Sequence, residues 1–213
     1  MFKTFLLITF VLCGIGILPG RADNIVANGG FETADLSNWT VSGAHSSPGD
    51  EGIYYGVDTA DAHTGRFGAY FGPVGGVLNL TQTLSTAPGT LYSVSFWLAQ
   101  APATVPPYIN SFAVAFGGTT LFSQTPVPAE AYVQYSFTQL ASSASTALVF
   151  SFRNDVGFFS LDDVTVTASS SVPEPASWLL FVTAVSALLA VRLCMQRASH
   201  PKGLGLPNEN AFH

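Results

Sequence analysis

The largest local group of residues that could carry acid–base chemistry in this 213-residue chain lies in one segment, residues 45–63. They are His45, Asp50, Glu51, Tyr54, Tyr55, Asp58, Asp61 and His63. Carboxylates near histidines suit acid–base hydrolysis or a transition-metal site. The spacing of the two histidines fits no compact ligand motif on a helix or hairpin, and no serine lies in a nucleophile-elbow sequence. Hydrolysis is therefore the minor alternative, and an exposed loop with a solvated acidic face is the simpler interpretation.

Aromatic side chains are the second group of candidates, because flat rings stack on the faces of sugars. Trp97 alternates with Ser93 and Ser95, so it is either a ligand platform or the cover of a neighbouring strand. The tyrosines Tyr54, Tyr55 and Tyr108 stand beside glycine and proline in predicted loops, where side chains reach solvent. We predict these four aromatic residues as ligand-binding, with packing inside the fold as the alternative for each.

The elements that would position these residues are strands, because apolar and polar side chains alternate with period 2. The alternation is regular over 92–98, 112–116 and 148–152, and further strand candidates are 67–71, 77–84, 132–140 and 158–167. Turn sequences such as Pro88-Gly89 and Gly117-Gly118 separate them, and no stretch between them has helical periodicity. The pattern predicts an all-β fold of two stacked antiparallel sheets.

Composition narrows the choice of partner. The segment from 23 to 172 carries 11 acidic and 2 basic residues, a net charge of −9, so its surface should repel nucleic acid and other polyanions. Both cysteines, Cys13 and Cys194, fall outside this segment, so its stability must come from packing or a metal instead of disulfides.

The two ends of the chain are typical of targeting segments. Residues 1–22 carry Lys3, an apolar run and then small residues, which is the pattern of a secretory signal peptide. Near the other end, Val172, Pro173, Glu174 and Pro175 form a turn that neither a strand nor a helix can continue. An apolar run over 176–195 follows, long enough for a helix of about 30 Å that spans a bilayer if Arg192 snorkels.

This order of turn, apolar span and basic residue resembles the PEP-CTERM sorting signal of Gram-negative bacteria. The resemblance implies exosortase as a partner that processes the tail. It divides the chain into a signal peptide (1–22), a domain (23–168), a linker with the Pro-Glu-Pro motif (169–175), a transmembrane helix (176–195) and a cytoplasmic tail (196–213). The expected location is an inner-membrane precursor, then the cell surface or the extracellular matrix.

The domain itself resembles the jelly-roll domains of the galactose-binding-like superfamily, to which many carbohydrate-binding modules belong. The motifs that carry the resemblance are Asn28-Gly29-Gly30-Phe31-Glu32 with Trp39-Thr40, Gly65-Arg66-Phe67-Gly68-Ala69-Tyr70, and Leu161-Asp162-Asp163-Val164. The resemblance implies an antiparallel jelly-roll β-sandwich with its chain ends beside a structural calcium ion, but it implies no single ligand.

The hydrophobic pattern of the last strand supports part of that calcium site. Leu161 and Val164 can both face the core only if a bulge at Asp162-Asp163 shifts the alternation. Such a bulge turns a carboxylate toward the edge of the sandwich, where Glu32 could meet it in a hard-oxygen site. We predict Glu32 and Asp163 as calcium ligands, with ordinary turn carboxylates as the alternative.

Together these features predict an exported, exosortase-sorted surface or matrix protein of a bacterium that makes exopolysaccharide. Its β-sandwich is expected to bind glycan without catalysis. The first alternative is a structural or adhesive matrix component that has no defined small ligand.

Overall fold

The computed structural model describes residues 23–101, 109–155, 157–169 and 177–198. The predicted signal peptide, Tyr108, the Val172–Pro175 motif and most of the predicted tail lie outside the described residues. The chain divides into two compact units, Met1–Ser170 and Ser171–His213. The first unit contains the strands and the whole hydrophobic core.

The strands of the first unit follow one another along the chain with short turns between most of them. They are β1 Thr40–Gly43, β2 Tyr55–Asp58, β3 Gly68–Phe71, β4 Leu78–Ser85, β5 Leu91–Gln100, β6 Asn110–Phe116, β7 Thr119–Gln124, β8 Glu130–Leu140, β9 Ser145–Asn154 and β10 Phe159–Ala168. They form two five-stranded antiparallel sheets, with the orders β1-β4-β9-β6-β7 and β2-β3-β10-β5-β8. The predicted all-β antiparallel sandwich is confirmed.

Between the sheets lies a core made largely of phenylalanine. Burial alternates residue by residue along β5, β6 and β9, as the period-2 pattern predicted. Phe71 and Phe152 stack across the sheets with ring centroids 4.2 Å apart, and Phe96 meets Phe150 edge-on at 5.1 Å. Most of the aromatic surplus in the composition is therefore core, and truncating one such ring typically costs about 3–5 kcal/mol of stability.

The predicted bulge in the last strand is present. The register between β10 and β5 shifts between Asp162 and Thr165, and Asp163 adopts a left-handed φ of 50°. Leu161 and Val164 both face the core as a result. The hydrophobic phase of the sequence therefore predicted a backbone irregularity correctly.

The short strands β1, β2 and β7 were not predicted from the sequence. β1 and β2 have only four residues each, and polar residues or glycine occupy at least half of the positions, so no apolar alternation could be recognised. One consequence corrects the prediction for Tyr55, which was expected in an exposed loop. It begins β2 opposite Phe71 and is only 7% exposed, so its ring is part of the core.

The second unit contains one described helix, α1, over Ser177–Ala198. Its side chains Val182, Leu188, Arg192 and Met195 are exposed. Within the described ranges, no helix is long and apolar enough to cross a membrane. This finding differs from the transmembrane helix expected over 176–195.

Candidate functional site

A shallow groove lies at one end of the sheet β2-β3-β10-β5-β8, where β5 ends and where β8 and β10 begin. Its volume is about 430 Å³, and its lining residues are Ala99, Gln100, Ala101, Ala129, Glu130, Ala131 and Ser160. Ser160 pairs with Ala99 on one side and with Tyr70 on the other. Small side chains on neighbouring strands thus leave a depression, which we call the alanine groove.

The loop between β2 and β3, residues 59–67, lies beside the alanine groove. Its Asp61 accepts a hydrogen bond from the Ser160 hydroxyl at 2.5 Å, and the Tyr132 hydroxyl donates to the Asp61 carbonyl oxygen. The imidazole of His63 stacks on Trp97, with ring centroids 3.9 Å apart and an interplanar angle of 19°. Trp97 is therefore half-buried on the outer face, as its alternation predicted, but a histidine covers one side of its ring.

Asp162 fastens this loop to the sheet. Its side chain is fully buried, and Oδ2 accepts hydrogen bonds from the backbone N–H groups of His63 at 2.8 Å and Thr64 at 3.1 Å. Oδ1 accepts from the N–H of Asp163 at 2.7 Å. A single buried carboxylate thus holds the segment that covers Trp97.

Burial sets the protonation behaviour of the acids near the groove. It raises the pKa of Asp162, although three backbone hydrogen bonds act in the opposite direction. It also raises the pKa of Asp61, and the Ser160 hydroxyl offsets part of this increase. The pKa of Tyr132 lies well above its usual range because of burial and the nearby charges of Asp162 and Asp61. Tyr132 therefore stays a neutral hydrogen-bond donor.

The two predicted calcium ligands lie at the end of this loop. Asp163 is partly exposed and pairs with His63 at 2.7 Å through Oδ2, while its Oδ1 accepts from the Thr64 hydroxyl at 2.7 Å. Glu32 Oε1 accepts hydrogen bonds from the N–H groups of Arg66 and Phe67. Each predicted ligand therefore orders the 59–67 loop from a different direction.

The side-chain atoms around Gly30 indicate whether these residues suit a cation. A Cβ atom placed there would lie 3.9 Å from Asp162 Oδ1, from Asp163 Oδ1 and from Glu32 Cγ. Carboxylate oxygens of Asp162 and Asp163 therefore border the same space, while Glu32 approaches it with Cγ and directs its carboxylate at Arg66 and Phe67. An all-oxygen set is what calcium prefers. In the described part of the chain, however, no group of three or more histidine, cysteine, aspartate or glutamate residues is arranged to hold a metal ion. The donor chemistry fits calcium, but a formed metal centre is not present.

The remaining candidates of the 45–63 segment lie elsewhere. Tyr54 stacks on His45 with ring centroids 3.8 Å apart, and His45 Nε2 lies 2.9 Å from the carbonyl oxygen of Val74. His63 instead contacts Trp97, so the two histidines belong to different clusters. The structure therefore does not bring the two histidines of this described segment into one site; His45 lies 4.0 Å from Asp50, and His63 lies 2.7 Å from Asp163.

The sequence analysis missed the alanine groove because its residues are mostly alanine. One signal was available, since Glu130 is the only charged residue between positions 67 and 152. A lone charge flanked by Ala129 and Ala131 at the start of a strand is unusual enough to suggest a polar contact. Tyr132 and Ser160 carried no such signal.

No protein-family model matches the chain, and no curated protein matches it. Among solved structures, the chain is similar to the carbohydrate-binding module TmCBM61, solved with β-1,4-galactotriose. The TM-score is 0.53 at 18% identity, covering 70% of this chain and all of that module. It is also similar to the enzymatically active domain of tailspike protein 4 of bacteriophage CBA120. There the TM-score is 0.51 at 16% identity, covering 68% of this chain but 21% of the tailspike chain.

A family 16 carbohydrate-binding module is a further similar structure, at TM-score 0.48 and 16% identity, covering 68% of this chain and 99% of the module. At such low identities the first two similarities establish the fold alone. The first unit is a jelly-roll β-sandwich of the kind found in carbohydrate-binding modules.

Proposed function

We propose that the β-sandwich binds a neutral glycan, without catalysis, at the alanine groove. The observation that carries this proposal is the groove itself, a depression of about 430 Å³ at one end of one sheet. The sandwich fold that it shares with carbohydrate-binding modules supports the proposal.

The floor of the groove suits a sugar ring. Ser160 and Ala99 lie opposite each other on neighbouring strands, and Ala101, Ala129 and Ala131 complete a lining of small side chains. The apolar face of a pyranose can lie on the alanine methyl groups.

Polar groups at the rim match hydroxyl groups. The Glu130 carboxylate can accept hydrogen bonds from sugar hydroxyls, and each such bond to a charged group contributes about 1.5–3 kcal/mol. The Ser160 hydroxyl, already donated to Asp61, can accept a further hydrogen bond. The net charge of −9 over 23–172 disfavours acidic polysaccharides, so the expected ligand is uncharged.

The test uses two matched substitutions. Ala99→Phe should fill the groove and lower the affinity for a neutral polysaccharide such as β-1,4-galactan at least tenfold in affinity electrophoresis. Ala113→Phe is the control, because Ala113 is half-buried on β6, which is next to the edge of the opposite sheet as β5 is in its own. Equal binding by both variants would remove the alanine groove from consideration. Failure of the folded wild type to bind any of a panel of neutral glycans would favour the structural or adhesive matrix role.

We also propose that calcium occupies the space beside Gly30, held by Glu32 and Asp163 with Asp162 as a third carboxylate. The support is that oxygens of Asp162 and Asp163 border one space, that Glu32 lies beside it, and that no lysine or arginine side chain pairs with these carboxylates among the described residues. The ion would stabilise the loop that carries Asp61 and His63, and so act on binding indirectly.

Export and sorting complete the proposal. The order of apolar N-terminal run, Pro173-Glu174-Pro175, apolar helix and Arg192 supports an exosortase substrate that reaches the cell surface or matrix. A reporter fused after His213 should report the cytoplasm and one fused after Ser170 the outside. The same side for both fusions would contradict the sorting proposal.

A further inference from the structure

Among the residues that the structure describes, strand β8 ends its sheet and has no strand on its outer side. It has 11 residues and ends the sheet order β2-β3-β10-β5-β8. The other strands that end a sheet are much shorter, with four residues in β1 and β2 and six in β7. Alternate N–H and C=O groups along such an edge point away from the sheet and remain available for pairing.

The usual protection of an edge strand is missing from β8. Natural edges are protected by lysine, proline, bulges or short length. β8 contains no lysine, arginine or proline, and its single charge, Glu130, lies at the first position. The one register shift with β5 lies between Leu98 and Gln100, so the stretch from Val133 to Leu140 is regular.

We propose that β8 pairs with β8 of a second copy of this chain, antiparallel and about a two-fold axis near Tyr135. In this register Val133 lies opposite Phe137 of the partner, and Gln134 lies opposite Ser136. Every opposed pair is uncharged except Glu130 with Leu140. The side chains of β8 are therefore compatible with those of a second β8 strand, as a two-fold interface requires.

Partly exposed apolar side chains reinforce the choice of a second copy. Tyr135, Phe137 and Val133 are half-buried although they face the inside of the sandwich. Phe122 of β7 packs on Tyr135 with ring centroids 5.0 Å apart, leaving a row of aromatic edges at the open side. A partner strand carrying the same row would cover it and extend five strands to ten.

Self-pairing would place the two alanine grooves far apart. Glu130 lies at one end of β8 and Leu140 at the other, ten residues along, so antiparallel pairing puts the grooves at opposite ends of an interface about 34 Å long. Two such sites would let one dimer bridge glycan chains with raised avidity. This consequence, unlike the pairing itself, rests on the proposed glycan function.

Thiol cross-linking tests the pairing on the full chain. Cys13 and Cys194 are replaced by serine, and Ser136→Cys is introduced on the exposed face of β8 near the proposed axis. In the proposed register the two introduced cysteines are diagonal neighbours, about 7–8 Å apart, which is beyond the reach of a disulfide. A short bis-maleimide cross-linker in detergent micelles should therefore convert the purified variant to a covalent dimer on a denaturing gel. Ser93→Cys, on the same face but one strand inward, and Thr120→Cys, on the exposed edge strand β7, are the matched controls.

A second substitution makes the test specific to the edge. Thr138→Lys in the Ser136→Cys background should lower the dimer yield at least tenfold, whereas Thr120→Lys in that background should leave it unchanged. The melting temperatures of all variants confirm that they are folded. The inference is overturned if Ser136→Cys gives no more dimer than either control, or if both lysine variants lower the yield equally.

Discussion

Removal of the Asp162 carboxylate should be the most damaging single change on the outer face. In Asp162→Ala, three backbone N–H groups, those of His63, Thr64 and Asp163, lose their acceptor. An unsatisfied buried donor costs about 1–3 kcal/mol, and part of that cost is relieved where the loop reaches water. We expect a loss of about 3–5 kcal/mol, a large fraction of the roughly 5–15 kcal/mol of a typical domain.

The same argument predicts a much smaller effect at the neighbouring position. Asp163→Ala removes a partly exposed ion pair with His63 and one hydrogen bond from Thr64. Such a pair contributes about 0.2–1 kcal/mol, and the hydrogen bond about 1 kcal/mol more. At about 2–4 °C for each kcal/mol, the melting temperature should fall by roughly 6–20 °C for Asp162→Ala but by only a few degrees for Asp163→Ala.

Thermal unfolding followed by circular dichroism gives the comparison, and tryptophan fluorescence gives an independent local signal. Release of the loop should expose Trp97 as His63 leaves it, so the emission of Asp162→Ala should shift to longer wavelength below its melting temperature. Asp162→Asn should be intermediate, because one oxygen still serves His63 and Thr64. If Asp162→Ala melts within about 2 °C of Asp163→Ala, the anchoring role assigned to Asp162 is wrong.

Three further predictions concern calcium, pH and sorting. Calcium at 100 times its dissociation constant should stabilise the domain by about 2.7 kcal/mol. Glu32→Gln should abolish this stabilisation, whereas Asp50→Ala should leave it unchanged. Equal melting temperatures of the wild type in calcium and in chelator would show that the ion does not bind. Burial raises the folded-state pKa values of Asp162 and Asp61 above their ordinary 3.8. Without calcium, the contribution of these two groups to stability should therefore be present below pH 3.8 and be lost as the pH rises through the folded-state pKa values. A free energy of unfolding that does not change with pH above 3.8 would contradict this prediction. Glu174→Ala should prevent exosortase processing, which an immunoblot for precursor size checks against the wild type.

The sequence could predict those features of the fold that depend on interactions between residues close together in the chain. Alternation within a strand needs only its own side chains, so β5, β6 and β9 were predictable, and so was the bulge that brings Leu161 and Val164 to one face. The four-residue strand β2 offered too little pattern, and Tyr55 was misplaced for that reason.

By itself, the sequence determined the all-β architecture and the acidic net charge of the sandwich, because each depends on composition or on a local period. Only the tertiary structure decided that Asp162, and not Asp163, is the buried carboxylate and that His63 covers Trp97. It also decided that alanines at the ends of β5 and β8 form a groove with Ser160 of β10. The partners of Asp162 lie 99 and 98 residues away at His63 and Thr64. Such contacts depend on how loops pack against the folded sheet, and the hydrophobic periodicity of the sequence does not indicate them.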